Sequence, residues 1–242
     1  HLEQIGCIGI KKDTSHPNGK TVIYFCRLGM GRYSFILYDN PISQEEKEEF
    51  MKNYEYIPFK SNYILQLHKI LYSHMNNPMA GKTKSVQNYI SATYPDGHTE
   101  TLFTPMAPYE TPEALDRICE EYNRVIGNME VEPLIAIPIF IHDFLCIHPF
   151  NDGNGRMSRL LTTLLLYRSG FYVGKYISLE AKIAKNKDLY YDALHQSQDG
   201  WHEGTDDPVP FIKYLLGTIL AAYKDFADRF EIVAEKLPTV EI

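Results

Sequence analysis

At 242 residues the chain is long enough to bury a sizeable core, and 44% hydrophobic with 23% charged residues speaks against both disorder and a fibrous architecture. The formal net charge of −7, with no basic cluster anywhere along the chain, disfavours a nucleic-acid backbone as partner. Four cysteines, Cys7, Cys26, Cys119 and Cys146, form no CxxC pair, which argues against a zinc site or a dense disulfide framework and for a reducing, cytoplasmic setting.

No secretory signal peptide opens the chain, and it begins on His1 rather than Met, which leaves room for residues upstream. Residues 1–42 are rich in β-branched and aromatic side chains, as in Thr21 to Cys26 and Tyr33 to Tyr38. Turn signals stand at Pro17-Asn18-Gly19 and at Gly29 to Gly31, so a small N-terminal β-meander is expected. From residue 43 to 242 the pattern becomes mainly α. Gln44 to Glu49 reads as the first turns of a helix, and Tyr63, Leu65, Leu67 and Leu71 mark a second. Between Lys84 and Thr104 a polar, β-prone stretch surrounds Pro95-Asp96-Gly97, the signature of a hairpin.

Helical spacing then dominates. Thr111 reads as an N-cap with Pro112 at the first helical position, followed by apolar Leu115, Ile118, Cys119, Tyr122 and Val125. The apolar run Leu134 to Ile147 carries Pro138, His142 and Asp143; it is too short and too polar to span a bilayer and reads as a buried helix. Near the end, Phe211, Tyr214, Leu215, Thr218, Ile219, Ala222, Tyr223 and Phe226 recur at three and four residues, as in a long helix with one apolar face. Neither internal repeats nor low-complexity segments are present.

The chemistry concentrates in residues 148–159, His-Pro-Phe-Asn-Asp-Gly-Asn-Gly-Arg-Met-Ser-Arg, between the buried run and Leu160, Leu161, Leu164 and Leu165. The pattern is helix, loop, helix. Pro149 stops the first helix, and the glycines let the backbone turn tightly so that N–H groups at the start of the second helix face an anion. Arg156 and Arg159 share a face near that N-terminus, where two guanidinium groups can hold phosphate oxygens. Asp152 offers a hard oxygen ligand suited to Mg²⁺ when phosphates complete the coordination, and His148 has the chemistry of a base. The same residues also fit a plain turn, with the arginines paired to surface acids and His148 a capped core histidine. A Walker-type loop is excluded, because no GK[ST] follows and the segment begins after a helix.

This segment resembles the Fic-family motif H-x-F-x-[DE]-G-N-G-R-x-x-R, with every defining position filled. The similarity extends over roughly residues 60–230, through Gly81 to Pro105, Tyr190 to Leu194 and Trp201 to Gly204. The resemblance implies a mainly α, Fic-type helical bundle with a central β-hairpin flap, residues 43–242, behind the strand-rich extension 1–42. It further implies a protein adenylyltransferase that moves AMP from ATP to a Ser, Thr or Tyr hydroxyl of a target protein. His148 would be the general base and Asp152 the Mg²⁺ ligand. Gly153, Asn154 and Gly155 would surround the α-phosphate, and Arg156 and Arg159 would hold the β- and γ-phosphates. Fic relatives that phosphorylate carry lysine at the second motif glycine, so Gly155 speaks for AMP transfer.

Outside the motif, the resemblance points to Tyr190 and Tyr191 as the lining of the base pocket, with Gln198 near them, although core packing explains the tyrosines too. The flap stretch Val86, Gln87, Asn88, Tyr89 and Ile90 would pair with the target as an added strand. His142 reads as a core histidine, and Trp201, His195 and His202 fall near a nucleotide-side loop. Many relatives carry an inhibitory [ST]-x-x-x-E-[GN] helix whose glutamate pairs with the second arginine, here Arg159. Only Glu203 is followed by Gly or Asn, and Asp199 stands four residues before it, so the pattern is absent from residues 1–242. The inhibitor is expected upstream of His1, on a partner, or nowhere. A Fic-type enzyme that removes AMP and a silent nucleotide-binding docking module remain as alternatives.

Overall fold

Alternating β-prone residues in the N-terminal stretch form an antiparallel meander, β1 (Ile8–Asp13), β2 (Lys20–Phe25) and β3 (Ser34–Phe35), in that order across the sheet. Ile10 lies opposite Ile23, and Ile23 opposite Phe35. The computed structural model describes residues 8–13, 20–25, 34–35, 59–72, 77–93 and 98–235. The helix expected at Gln44 to Glu49 and the boundary expected at residues 42–43 lie outside them. The chain divides into two units, residues 1–57 with 69–80, and residues 58–68 with 81–242.

The larger unit is helical around one short hairpin. α1 (Ser61–Leu71), which belongs to this unit through residue 68, precedes the hairpin of β4 (Ile90–Thr93) and β5 (Thr99–Phe103), and α2 (Thr111–Gly127), α3 (Pro133–Ile147) and α4 (Asn154–Arg168) follow. α5 (Leu179–Lys185), α6 (Lys187–Gln198) and α7 (Val209–Glu235) complete it. α3 is apolar on every side, and a helix of that kind is stable only when surrounded. It packs against α2, α4, α6 and α7, and Ala136 to Pro138, Phe140 to His142 and Phe144 to Ile147 are all buried. Phe140 meets Phe59 and Tyr122 edge-on at 4.9 and 5.5 Å between ring centres, an arrangement worth about 0.5–1.5 kcal/mol per pair beyond burial. No described helix is long and apolar enough to cross a membrane.

Three expectations need correction. Thr111 is not a cap: Glu110 occupies that position, and Thr111 is the first helical residue, with its hydroxyl donating to the Ala107 carbonyl at 2.9 Å. A buried hydroxyl needs an acceptor, and the preceding turn supplies one. Of the apolar positions named on α7, Phe211, Leu215, Ile219 and Ala222 are buried, whereas Tyr223 is exposed beside the fully buried Ala222. Within Val86 to Ile90, only Ile90 belongs to a strand.

Candidate active site

The loop between α3 and α4 carries the motif. α3 ends with His148 in the left-handed region (φ 52°, ψ 61°), its N–H donating to Phe144 O. Pro149 disfavours the helical region for the residue before it, so the chain leaves the helix at His148. Gly153 then takes φ 88°, which a residue with a Cβ adopts only under strain, and α4 starts at Asn154. The first bond of α4 runs from Met157 N–H to Gly153 O at 2.8 Å, so the N–H groups of Asn154, Gly155 and Arg156 face out of the helix end, ready for an anion.

Buried polar side chains hold this loop by its backbone. Asn154 closes a ring with Phe150, accepting from its N–H at 2.9 Å and donating to its carbonyl at 2.7 Å. Its amide is thus committed to the turn, and only its backbone N–H is left for a phosphate. His68 on α1 lies flat on Phe150 at 3.7 Å. Its Nδ1 accepts from Gly81 N–H at 2.9 Å, so Nε2 carries the proton and donates to Asp152 O at 3.0 Å. Burial pushes the His68 imidazole below its ordinary value, which keeps that tautomer neutral. Nothing in the spacing of Leu67-His68 marks this role.

His148 is oriented in a comparable way. Its Nδ1 donates to Leu145 O at 3.2 Å, which leaves the Nε2 lone pair for a proton. Burial first, and the nearby Lys84 ammonium after it, push the imidazole down to about 4, against a bond to Leu145 that raises it. The ring is therefore neutral at pH 7, as a base must be.

Asp152 stands at the mouth of the loop with 69% of its side chain exposed. Its Oδ1 accepts from Gly153 N–H at 2.6 Å and its Oδ2 from Arg156 at 2.9 Å. Among the described residues no group of three or more His, Cys, Asp or Glu side chains is arranged around a metal ion. A divalent ion at Asp152 would take its other ligands from phosphates and water, which is how Mg²⁺ is usually held on one carboxylate; the donor set fits. Arg159 Nε pairs with Glu180 of α5 at 3.0 Å. Sequence reasoning missed this partner, since 21 residues separate the two and no local pattern links them. A Cβ at Gly155 would meet only Arg159 Nη1, at 3.4 Å. Glu203, in the short 3-10 turn Trp201–Glu203, is exposed.

Of the residues expected at a base pocket, Tyr190 and Tyr191 meet edge-on at 5.4 Å between ring centres, but their surroundings differ. Tyr190 is 6% exposed and packs edge-on against Phe211 and Tyr214. Burial pushes its hydroxyl up to about 12, and Ser158 hydrogen-bonds it. Tyr191 is 51% exposed beneath the Lys187 ammonium. Gln198 lines a cavity of about 260 Å³ with Phe103, His195, Trp201, His202 and Glu203, and its amide donates toward Cys146 Sγ at 3.7 Å. His142 is a core residue as expected, with Nε2 donating to Ser197 O at 2.9 Å. Along the flap stretch Val86 and Tyr89 are exposed. Gln87 and Asn88 turn inward, Gln87 to Pro105 O and Asn88 to Phe150 O.

Residues 58–166 match the model of the Fic/DOC family. Protein adenylyltransferase fic-1 of Caenorhabditis briggsae is 30% identical over 152 residues, covering 63% of this chain and 25% of that protein. A Fido domain-containing protein of Dictyostelium discoideum is 27% identical over 137 residues, 55% of this chain and 91% of its own length. This chain thus spans about a quarter of the nematode relative. Among solved structures, Fic-1 from C. elegans aligns with a TM-score of 0.57 at 21% identity, covering 81% of this chain and 56% of that one. A Fic domain containing signaling protein from Bacteroides thetaiotaomicron aligns at 0.55 and 24%, covering 73% and 67%. At these identities the structures speak for the fold.

Proposed function

The chain carries a Fic/DOC-family domain over residues 58–166, and on that premise we propose that it transfers AMP from ATP to a hydroxyl side chain of a target protein. The observation that supports this most is the state of His148: its Nδ1–H is spent on Leu145 O, burial keeps its ring neutral, and its Nε2 is left to accept a proton. In the proposed reaction the target hydroxyl gives its proton to His148 Nε2 and its oxygen bonds to the α-phosphorus. The bond from that phosphorus to the bridging oxygen breaks, and pyrophosphate leaves. The N–H groups of Asn154 and Gly155, with that of Gly153 once it leaves Asp152 Oδ1, hold the α-phosphate oxygens, where charge grows in the transition state. Arg156 and Arg159 hold the β- and γ-phosphates, which requires both to leave their present carboxylates. Asp152 would hold a Mg²⁺ ion, which when bound neutralises phosphate charge.

We assign the nucleobase to the face of α6 that carries Tyr191 and Gln198, seven residues apart, with Tyr190 supporting that face from the core. The target docks along Val86 to Ile90, where Val86 and Tyr89 offer exposed apolar surface. Cys119 and Cys146 are free buried thiols, which suits a reducing compartment such as the cytoplasm. The test is incubation of the protein with Mg²⁺, a cell lysate and ATP labelled at the α-phosphate. Label should enter protein with wild type and not with His148→Ala; equal labelling by both would remove His148 from the mechanism.

A further inference from the structure

Lys84 is 3% exposed, an unusual place for an ammonium, since lysine is almost never fully buried unless its charge is used. Its Nζ donates to Ile147 O and to Asn88 Oδ1, each at 2.9 Å, and its backbone N–H donates to Pro149 O at 2.8 Å. Asn88 in turn donates to Phe150 O at 3.0 Å and reaches His148 O at 3.5 Å. Two residues four apart therefore hold the carbonyls of all four residues from 147 to 150.

Of these, Ile147 O is a carbonyl that the end of α3 leaves without an intrahelical partner, and the other three belong to the loop that follows it. The usual remedy is a glycine in the left-handed position followed by backbone closure. Here histidine occupies that position, and Ile147 O is taken by the Lys84 side chain. A cation is the favoured partner at a helix C-terminus. The bonded oxygens around Lys84 Nζ are neutral, and burial pushes the ammonium down to about 8. An amine held at that energetic cost contributes little to net stability; its effect is on the conformation of the loop it grips.

We propose that Lys84 and Asn88 are positioning residues for His148: together they clamp the 147–150 carbonyls, fix the left-handed backbone at His148, and so aim Nε2 at the reacting hydroxyl. This rests on the reading of His148 as the base. The clamp lies at the start of the segment that leads into the hairpin, so the docking stretch and the base loop are joined through Asn88.

The test combines turnover with a direct view of the imidazole. Lys84→Met and Asn88→Ala should each lower kcat by roughly 10–100-fold, the scale set by small misplacements of a catalytic group, while the KM for ATP stays within about twofold. In ¹⁵N-histidine spectra, wild-type His148 should show one Nδ1–H tautomer, and both variants should show averaging of the two tautomers. Lys84→Arg, which keeps the charge and the donors, should recover the single tautomer and most of kcat. If Lys84→Met does not fold, Asn88→Ala, at a half-buried site, carries the same test. Unchanged kcat with an unchanged His148 spectrum overturns the clamp, as does a rise in KM alone. If wild type transfers nothing, the adenylyltransfer reading fails, and the tautomer comparison still decides whether the clamp orients His148.

Discussion

The loop from His148 to Arg159 lies within the stretch that matches the family model and the tyrosine face of α6 lies beyond it, and the chain holds the two by different means. In the loop, side chains from α1, from α4 and from the segment before the hairpin bond to backbone carbonyls, which leaves His148 half-buried and Asp152 exposed. On α6, Tyr190 is set among Phe211 and Tyr214, and position is secured by packing. A loop that carries its own groups in unusual dihedrals needs directional bonds. A helix face needs only apolar neighbours. Substitutions in the two regions should therefore act on different quantities, rate in the loop and stability on α6.

The largest expected effect is on rate. His148→Ala should lower AMP transfer by about 10²–10⁴-fold, or about 3–5 kcal/mol of barrier, with nucleotide binding and thermal stability nearly unchanged. Calorimetric titration with a non-hydrolysable ATP analogue, beside a melting curve, checks both halves. The mirror case is Tyr190→Ala, expected to lower unfolding free energy by about 3–5 kcal/mol through the cavity left among Phe211 and Tyr214. Chemical denaturation measures it; a stable variant with lost turnover would mean that Tyr190 touches the nucleotide and that the contrast between the two regions is wrong.

The pH dependence comes next. With the His148 imidazole at about 4 in the folded chain against an ordinary 6.5, the unfolded state binds the extra proton between these values. Stability from this group is therefore complete above pH 6.5 and falls as pH drops toward 4. The loss should be smaller in His148→Ala. Turnover should keep its His148 dependence down to about pH 5 and fall near pH 4. A midpoint near 6.5 in a pH–rate profile would show that the ring is not desolvated as the fold indicates.

Much of this was legible in the sequence, for reasons that differ from place to place. Leu134 to Ile147 is apolar all round, which only a central helix explains, and α3 is that helix. The hairpin followed from Pro95-Asp96-Gly97 between β-prone runs. The misses have physical causes. Thr111 looks like a cap by type, but its hydroxyl found the Ala107 carbonyl first. Val86 to Tyr89 look β-prone, yet Gln87 and Asn88 bond inward and keep the chain out of a strand. Lys84 has no apolar spacing to betray its burial, because its role depends on carbonyls about 63 residues away. Glu180 pairs with Arg159 across two helices, a contact that no local pattern encodes.

The smallest expected effect is at that pair. Glu180→Gln removes a competitor for the guanidinium, and an exposed pair of this kind is worth about 0–1 kcal/mol. ATP should bind up to about fivefold more tightly, read by the same titration. Weaker binding would make Glu180 a support for Arg159 rather than a rival of the phosphates.

The central claim is that the α-phosphorus is the atom attacked. Parallel reactions with the same lysate, Mg²⁺ and ATP labelled at either the α- or the γ-phosphate test it directly. Label should reach protein from the α position only and be lost in His148→Ala, whereas transfer from the γ position would contradict adenylyl transfer and make the chain a phosphotransferase.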